Sequence, residues 1–153
     1  MPKEPITNAV FSSILSRLRA IKEGDTYFCS PTVYSEKRQV EHNDCPAIVV
    51  YQRGEVWRVG TDDQACGKVE IEVEQNVIVC IFHTTTEKVN RLKADAEIAL
   101  FVGGGYLLKQ TATDPAVTYK LGGPLGTVAG EGLELGDAQF LLTAFYKRTH
   151  GTP

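Results

Sequence analysis

The run from Lys68 to Phe82 constrains this chain more than any other stretch. Val69, Ile71 and Val73 alternate with Lys68, Glu70, Glu72 and Glu74, and after a polar break at Gln75 the odd positions resume with Val77, Val79 and Ile81. A period of two held over that length is a β-strand with one face turned to a core, because successive strand side chains point to opposite faces. Past Asn76 the even positions Ile78, Cys80 and Phe82 turn apolar as well, so the strand begins half-exposed and ends buried on both faces. A β-bulge near Gln75-Asn76 is the natural place for that change. The row Glu70, Glu72 and Glu74 reads either as a solvated face or as a subunit contact, since three carboxylates on one face repel unless water or cations relieve them.

Such a strand needs neighbours. Gln139 to Thr149 supplies one: Phe140, Leu142, Ala144 and Tyr146 point one way, and Gln139, Leu141, Thr143, Phe145 and Lys147 the other. Ala47 to Tyr51 is a third, almost continuously apolar, with Pro46 tolerated at its first position. A short extended piece spans about Tyr27 to Val40, Tyr106 to Thr113 reads as a further strand, and Asp114-Pro115 reads as a turn. Leu121 to Gly136 reads as a glycine-rich connection with weak strand character.

The cover comes from two helices. From about Pro5 to Lys22, Ile6, Val10, Ile14, Leu18 and Ile21 recur at three- and four-residue steps, Phe11 and Leu15 widen the stripe, and Gly24 is a natural stop. A second helix is predicted from about Thr85 to Phe101, opened by the capping-box spacing of Thr84-Thr85-Thr86-Glu87 and closed by Gly103-Gly104-Gly105. It carries Val89, Leu92, Ala96, Ala99 and Leu100 inward. The fold class that follows is α+β: one domain over residues 1–153, a mixed, mainly antiparallel sheet packed by two helices chiefly on one side.

Chemistry is sparse. The 153 residues carry a formal charge of −3, with basic residues scattered among acids, so the field needed to wrap a nucleic acid is missing. Cys29, Cys45, Cys66 and Cys80 form no C-x-x-C pair and have no histidine at zinc-ligand spacing, which reads as free thiols in a reducing cytoplasm. His42, His83 and His150 stand in dissimilar places without a neighbouring nucleophile. Gly122-Gly123-Pro124-Leu125-Gly126 lacks the lysine and hydroxyl of a phosphate-binding loop. No apolar run reaches membrane-spanning length, and no signal-peptide core opens the chain. The residues therefore predict no catalytic group, no metal, no cofactor and no membrane contact.

What remains is surface. Gln52 to Gly67 turns polar and reads as a hairpin extension or a long loop, mobile until a neighbour orders it. Its one large apolar side chain, Trp57, is either an anchor against a partner or a cap on the domain's own core. The ending Tyr146-Lys147-Arg148-Thr149-His150-Gly151 reads as a basic exit just outside the sheet. Candidate interface residues are accordingly Trp57, Arg58, Glu70, Glu72, Glu74, Lys147 and Arg148. The glutamates are expected to meet cations such as Arg17, Arg19, Lys147 or Arg148 of an adjacent subunit.

The order of elements, with the stretches Ile14 to Ile21, Cys45 to Tyr51, Lys88 to Leu100 and Phe145 to Gly151, resembles the tail terminators of long-tailed bacteriophages, the minor tail protein U family. That resemblance implies a small α/β protein that forms a six-membered ring on the finished tail tube, halts its growth and offers a surface for joining the head. Its implied partners are copies of itself, the tail tube protein and a head-completion or connector protein. DNA would pass through the ring without being read. The implied location is the tail or neck of the virion, after assembly in the host cytoplasm. The alternatives are a head-completion or neck protein of the same phage, and a small-molecule-binding α+β domain.

Overall fold

The computed structural model describes residues 2–59, 69–101, 117–124 and 136–149. In chain order they form α1 (Ile6–Arg19), β1 (Thr32–Tyr34), a 3-10 turn (His42–Asp44), β2 (Ala47–Val59), β3 (Glu70–His83), α2 (Thr86–Leu100), β4 (Thr118–Pro124) and β5 (Gly136–Thr149). The strands make one sheet in the order β1-β2-β3-β5-β4, in which only the β1 to β2 pairing is parallel. This is the α+β architecture that the alternation and the two amphipathic stripes predict.

β3 lies at the centre of the sheet, as its apolar alternation requires. Its odd positions Ile71, Val73, Val77, Val79 and Ile81 join Phe140, Leu142, Ala144 and Tyr146 of β5 and Ile48 and Val50 of β2. Val10, Ile14, Leu15 and Leu18 of α1 and Val89, Leu92, Ala96 and Leu100 of α2 pack against that surface, so both helices cover the same side. Each large side chain buried there contributes about 1.5–3 kcal/mol. On the other side a smaller cluster of Val40, Ala47, Val49, Ile78 and Cys80 is closed by Tyr34, Cys45, Tyr51, Phe82 and Leu141. The segment between β1 and β2 thus covers the inner end of the helix-free face. Among the described residues nothing covers its outer end.

Several boundaries differ from expectation, each for a local reason. The bulge lies not in β3 but in its partner, where the register shifts between Gln52 and Gly54 opposite Val77 and Asn76. Gly54 has φ 149, a value that side chains avoid, so it absorbs the extra residue and leaves β3 regular. Gln75 therefore keeps its inward parity and is fully buried; its Nε2 donates to the Thr7 carbonyl at 3.0 Å. α1 ends at Arg19 with Ala20 as its C-cap, and Gly24 instead sits in a turn where its N–H donates to the Tyr27 carbonyl at 3.1 Å. α2 is capped by Thr85, whose hydroxyl accepts from the Lys88 N–H at 3.3 Å, one residue later than the Thr84 to Glu87 spacing suggests. Ala99 is half-buried and packs against the core, as expected. The weak strand character expected from Leu121 is part of a full strand, Thr118 to Pro124, and 125–135 of that connection lies outside the described residues. The expected strand at Tyr106 to Thr113, the turn at Asp114-Pro115 and the triglycine stop lie outside the described residues.

α2 also buries a charge that the stripe does not announce. Asp95 is fully buried, and its carboxylate accepts from the Phe28 N–H at 3.0 and 3.1 Å and from the Cys29 N–H at 2.9 Å. Two N–H donors, the Phe28 one shared between both oxygens, offset the desolvation of that carboxylate and peg the chain after α1 to the middle of α2.

Candidate functional site

The outer end of the sheet gathers all seven candidate interface residues. Past Gly54, β2 pairs with β3 as Val56 with Glu74, Trp57 with Val73, Arg58 with Glu72 and Val59 with Ile71. β5 lies on the other side of β3, with Lys147 opposite Glu72, Arg148 opposite Ile71 and Thr149 opposite Glu70. Of the stretch from Gln52 to Gly67, Gln52 to Val59 is thus the extension of the two sequence alternatives, a strand laddered to β3 instead of a mobile loop, and 60–67 lies outside the described residues. Lys147 and Arg148 likewise sit in a ladder and not in an exit; His150 and Gly151 lie outside the described residues.

Strand parity sorts these side chains onto two faces. The helix-free face carries Glu70, Glu72, Glu74, Val56, Arg58, Phe145 and Lys147. Arg58 Nη2 lies 3.3 Å from Glu74 Oε1, and Lys147 Nζ lies 3.5 Å from Glu70 and 3.6 Å from Glu72. The two carboxylates, Glu70 first, raise the Lys147 pKa. The glutamate row therefore finds its first cations within its own chain. Arg17 and Arg19, offered as partners by the sequence, lie on α1 across the sheet. Between the side chains an open groove of about 510 Å³ is lined by Arg58, Glu72, Glu74, Thr118, Phe145 and Lys147.

The helix-side face at this end holds Glu55, Trp57, Val59, Tyr146 and Arg148. Here α1 stops short: its first turn reaches Glu55, where Thr7 Oγ1 donates to Oε1 at 2.8 Å, and goes no farther along β2. The Tyr146 hydroxyl lies 2.8 Å from Thr7 Oγ1, and because Thr7 gives its single hydroxyl hydrogen to Glu55, the phenol is the donor of this pair; burial raises the Tyr146 pKa. Trp57 Nε1 donates to Glu55 Oε2 at 2.8 Å, and the Arg148 guanidinium sits 4.7 Å from the indole centroid. Held on two sides, Trp57 is still 52% exposed, with Val56 at 47% and Val59 at 55% beside it. Trp57 therefore does not cap the core of its own domain. A fixed, exposed indole flanked by valines is apolar surface set up for contact.

Reactive chemistry is not assembled among the described residues. Burial, the largest cause in each case, raises the thiol pKa of Cys29 and Cys45 and pushes Cys80 up to about 11, the reverse of an activated nucleophile. His83 Nδ1 accepts from the Thr84 N–H at 2.8 Å, and burial, with Lys88 nearby, lowers its pKa. No group of three His, Cys, Asp or Glu side chains among the described residues could hold a metal ion. No described helix is long and apolar enough to cross a membrane.

Nothing in the sequence flagged Glu55, Thr7 or Tyr146 as the supports of Trp57, because their meeting depends on where α1 begins over the sheet. The fold and this surface define a two-layer α+β protein with an extended, partly apolar sheet end. No protein-family model and no curated protein matches the chain.

Proposed function

We propose that this chain is a structural assembly protein of a long-tailed phage that closes the tail tube as a tail terminator, forming a ring of six copies and presenting a surface to the head-completion or connector protein. The observation that carries the reading is the outer end of β2, β3 and β5, where Val56, Trp57 and Val59 stand exposed on a strand whose far edge has no neighbour among the described residues. An exposed edge with apolar side chains is a liability unless another chain covers it. A ring of identical subunits covers it by heterologous contacts, each copy pairing one patch with a different patch of the next. The charged groove on the other face supports a tunable, salt-sensitive second contact, with the tube or with the connector.

Deleting the gene from its phage tests the role. A terminator's loss leaves tubes of uncontrolled length that join no heads. Tails of normal length that fail only at joining would assign the chain to head completion instead, and normal virions would remove it from both roles.

A further inference from the structure

Apart from the outer side of the three-residue β1 and the ends of β5 beyond Phe140 and Phe145, two strand edges of the sheet lack a neighbour among the described residues. Outward from Val50, β2 has β3 on one side and no strand on the other, because β1 reaches only as far as Val49. β4 has β5 on one side and no described strand on the other. β2 is antiparallel to β3, β3 to β5 and β5 to β4, so β2 and β4 run in opposite directions. A second copy set alongside with its helices on the same side brings its β4 antiparallel to β2 of the first.

We infer that copies of this chain join by strand addition, the β4 edge of one protomer pairing with the outer β2 edge of the next. This rests on the ring reading above and names the two patches that the ring would pair. The contact is heterologous, and where the rotation between copies closes, repetition about an axis makes a ring that leaves neither of these two edges open.

Parity, bulges and charge select one register. Helix-side residues must meet helix-side residues, so odd positions of β2 face odd positions of β4. β2 is regular only after its shift at Gly54, and β4 only up to Gly122, before its own shift toward Pro124. The longest regular overlap sets Gly54 to Arg58 against Gly122 to Thr118. It places Trp57 opposite Tyr119, Glu55 beside Leu121, which is itself 43% exposed, and Val56 opposite Lys120. A slip of two residues toward the end of β2 would set Arg58 against Lys120, like charge on like.

Charge complementarity points the same way. On the helix-free face the outer end carries three carboxylates, Glu70, Glu72 and Glu74, against two cations, Arg58 and Lys147, an excess of one negative charge. Lys120 lies on that same face, opposite Thr143, is exposed, and has no ion pair among the described residues. The inferred register lays it over Val56, whose partner on β3 is Glu74.

Disulfide trapping of the full chain tests this. Opposed residues on paired antiparallel strands bring their Cα atoms to about 4.5–5.5 Å, within the range that a disulfide spans. The double variant Val56→Cys with Lys120→Cys, oxidised at high protein concentration, should give a ladder of cross-linked multimers. The slipped pair Arg58→Cys with Lys120→Cys should give at least tenfold less, and the native cysteines set the background. Equal cross-linking of both pairs would overturn the inference, as random collision. Absence of a ladder where light scattering shows the unmodified protein to be multimeric would overturn the strand pairing alone. Absence of a ladder with a protein monomeric at every concentration would overturn the ring reading as well.

Discussion

At the residue scale the least replaceable polar group is Asp95. Its carboxylate is the acceptor for the N–H groups of Phe28, part-buried, and Cys29, buried. Asp95→Ala should cost about 3 kcal/mol or more in urea unfolding, because it strands two donors, while Asp95→Asn, which keeps one acceptor oxygen, should cost less. Equal and small losses for both would mean that the peg carries no energy. The buried thiols give a pH dependence. Burial raises Cys80 from an ordinary 9.0 to about 11, so the folded state holds a proton that the unfolded state releases. The stability this contributes is fully present below about pH 9 and is lost as pH rises from there toward about 11. Cys80→Ser or Cys80→Ala should flatten the alkaline limb of a stability-against-pH curve, and an unchanged limb would count against the thiol as its source. By the same argument Cys80 should react with a thiol reagent only on unfolding.

At the element scale the cap of α2 is the sharpest test. Thr85→Ala should lower stability by about 1 kcal/mol, since its hydroxyl accepts from the Lys88 N–H, whereas Thr84→Ala should change little. The reverse order would restore the spacing first read from Thr84 and Glu87. That one-residue difference shows what local pattern can and cannot carry. Periodicity located both helices, the central and closing strands and the inward sets of Ile14, Leu18, Leu92, Leu142 and Tyr146, because burial on one face must repeat with the geometry of the element. It could not locate the bulge, because a polar residue at Gln75 looks the same whether the strand bends there or an amide is satisfied by a distant carbonyl. Nor could it delimit β4, whose glycines and proline carry the signature of a connection while β5 supplies the ladder. The candidate site was legible as a set of charged and aromatic residues. Its two faces were not, because they depend on the β2 shift at Gly54.

At the scale of the whole molecule, the glutamate row separates internal charge balance from assembly. Replacing Glu70, Glu72 and Glu74 together with Gln removes exposed pairs to Arg58 and Lys147, so the isolated chain should change its melting temperature by no more than about 3 °C. Assembly should weaken by more than folding does and lose its salt dependence; identical assembly at every salt concentration would leave these carboxylates as ordinary surface charge. The central claim is that the outer end of β2, β3 and β5 is where copies meet, and single-particle electron cryomicroscopy of the concentrated, unmodified protein tests it most directly. Closed rings are expected in which Trp57 and the β2 edge of every copy are covered by the next. Rings or dimers that leave Trp57 and that edge in solvent, or particles of a single copy, would contradict it.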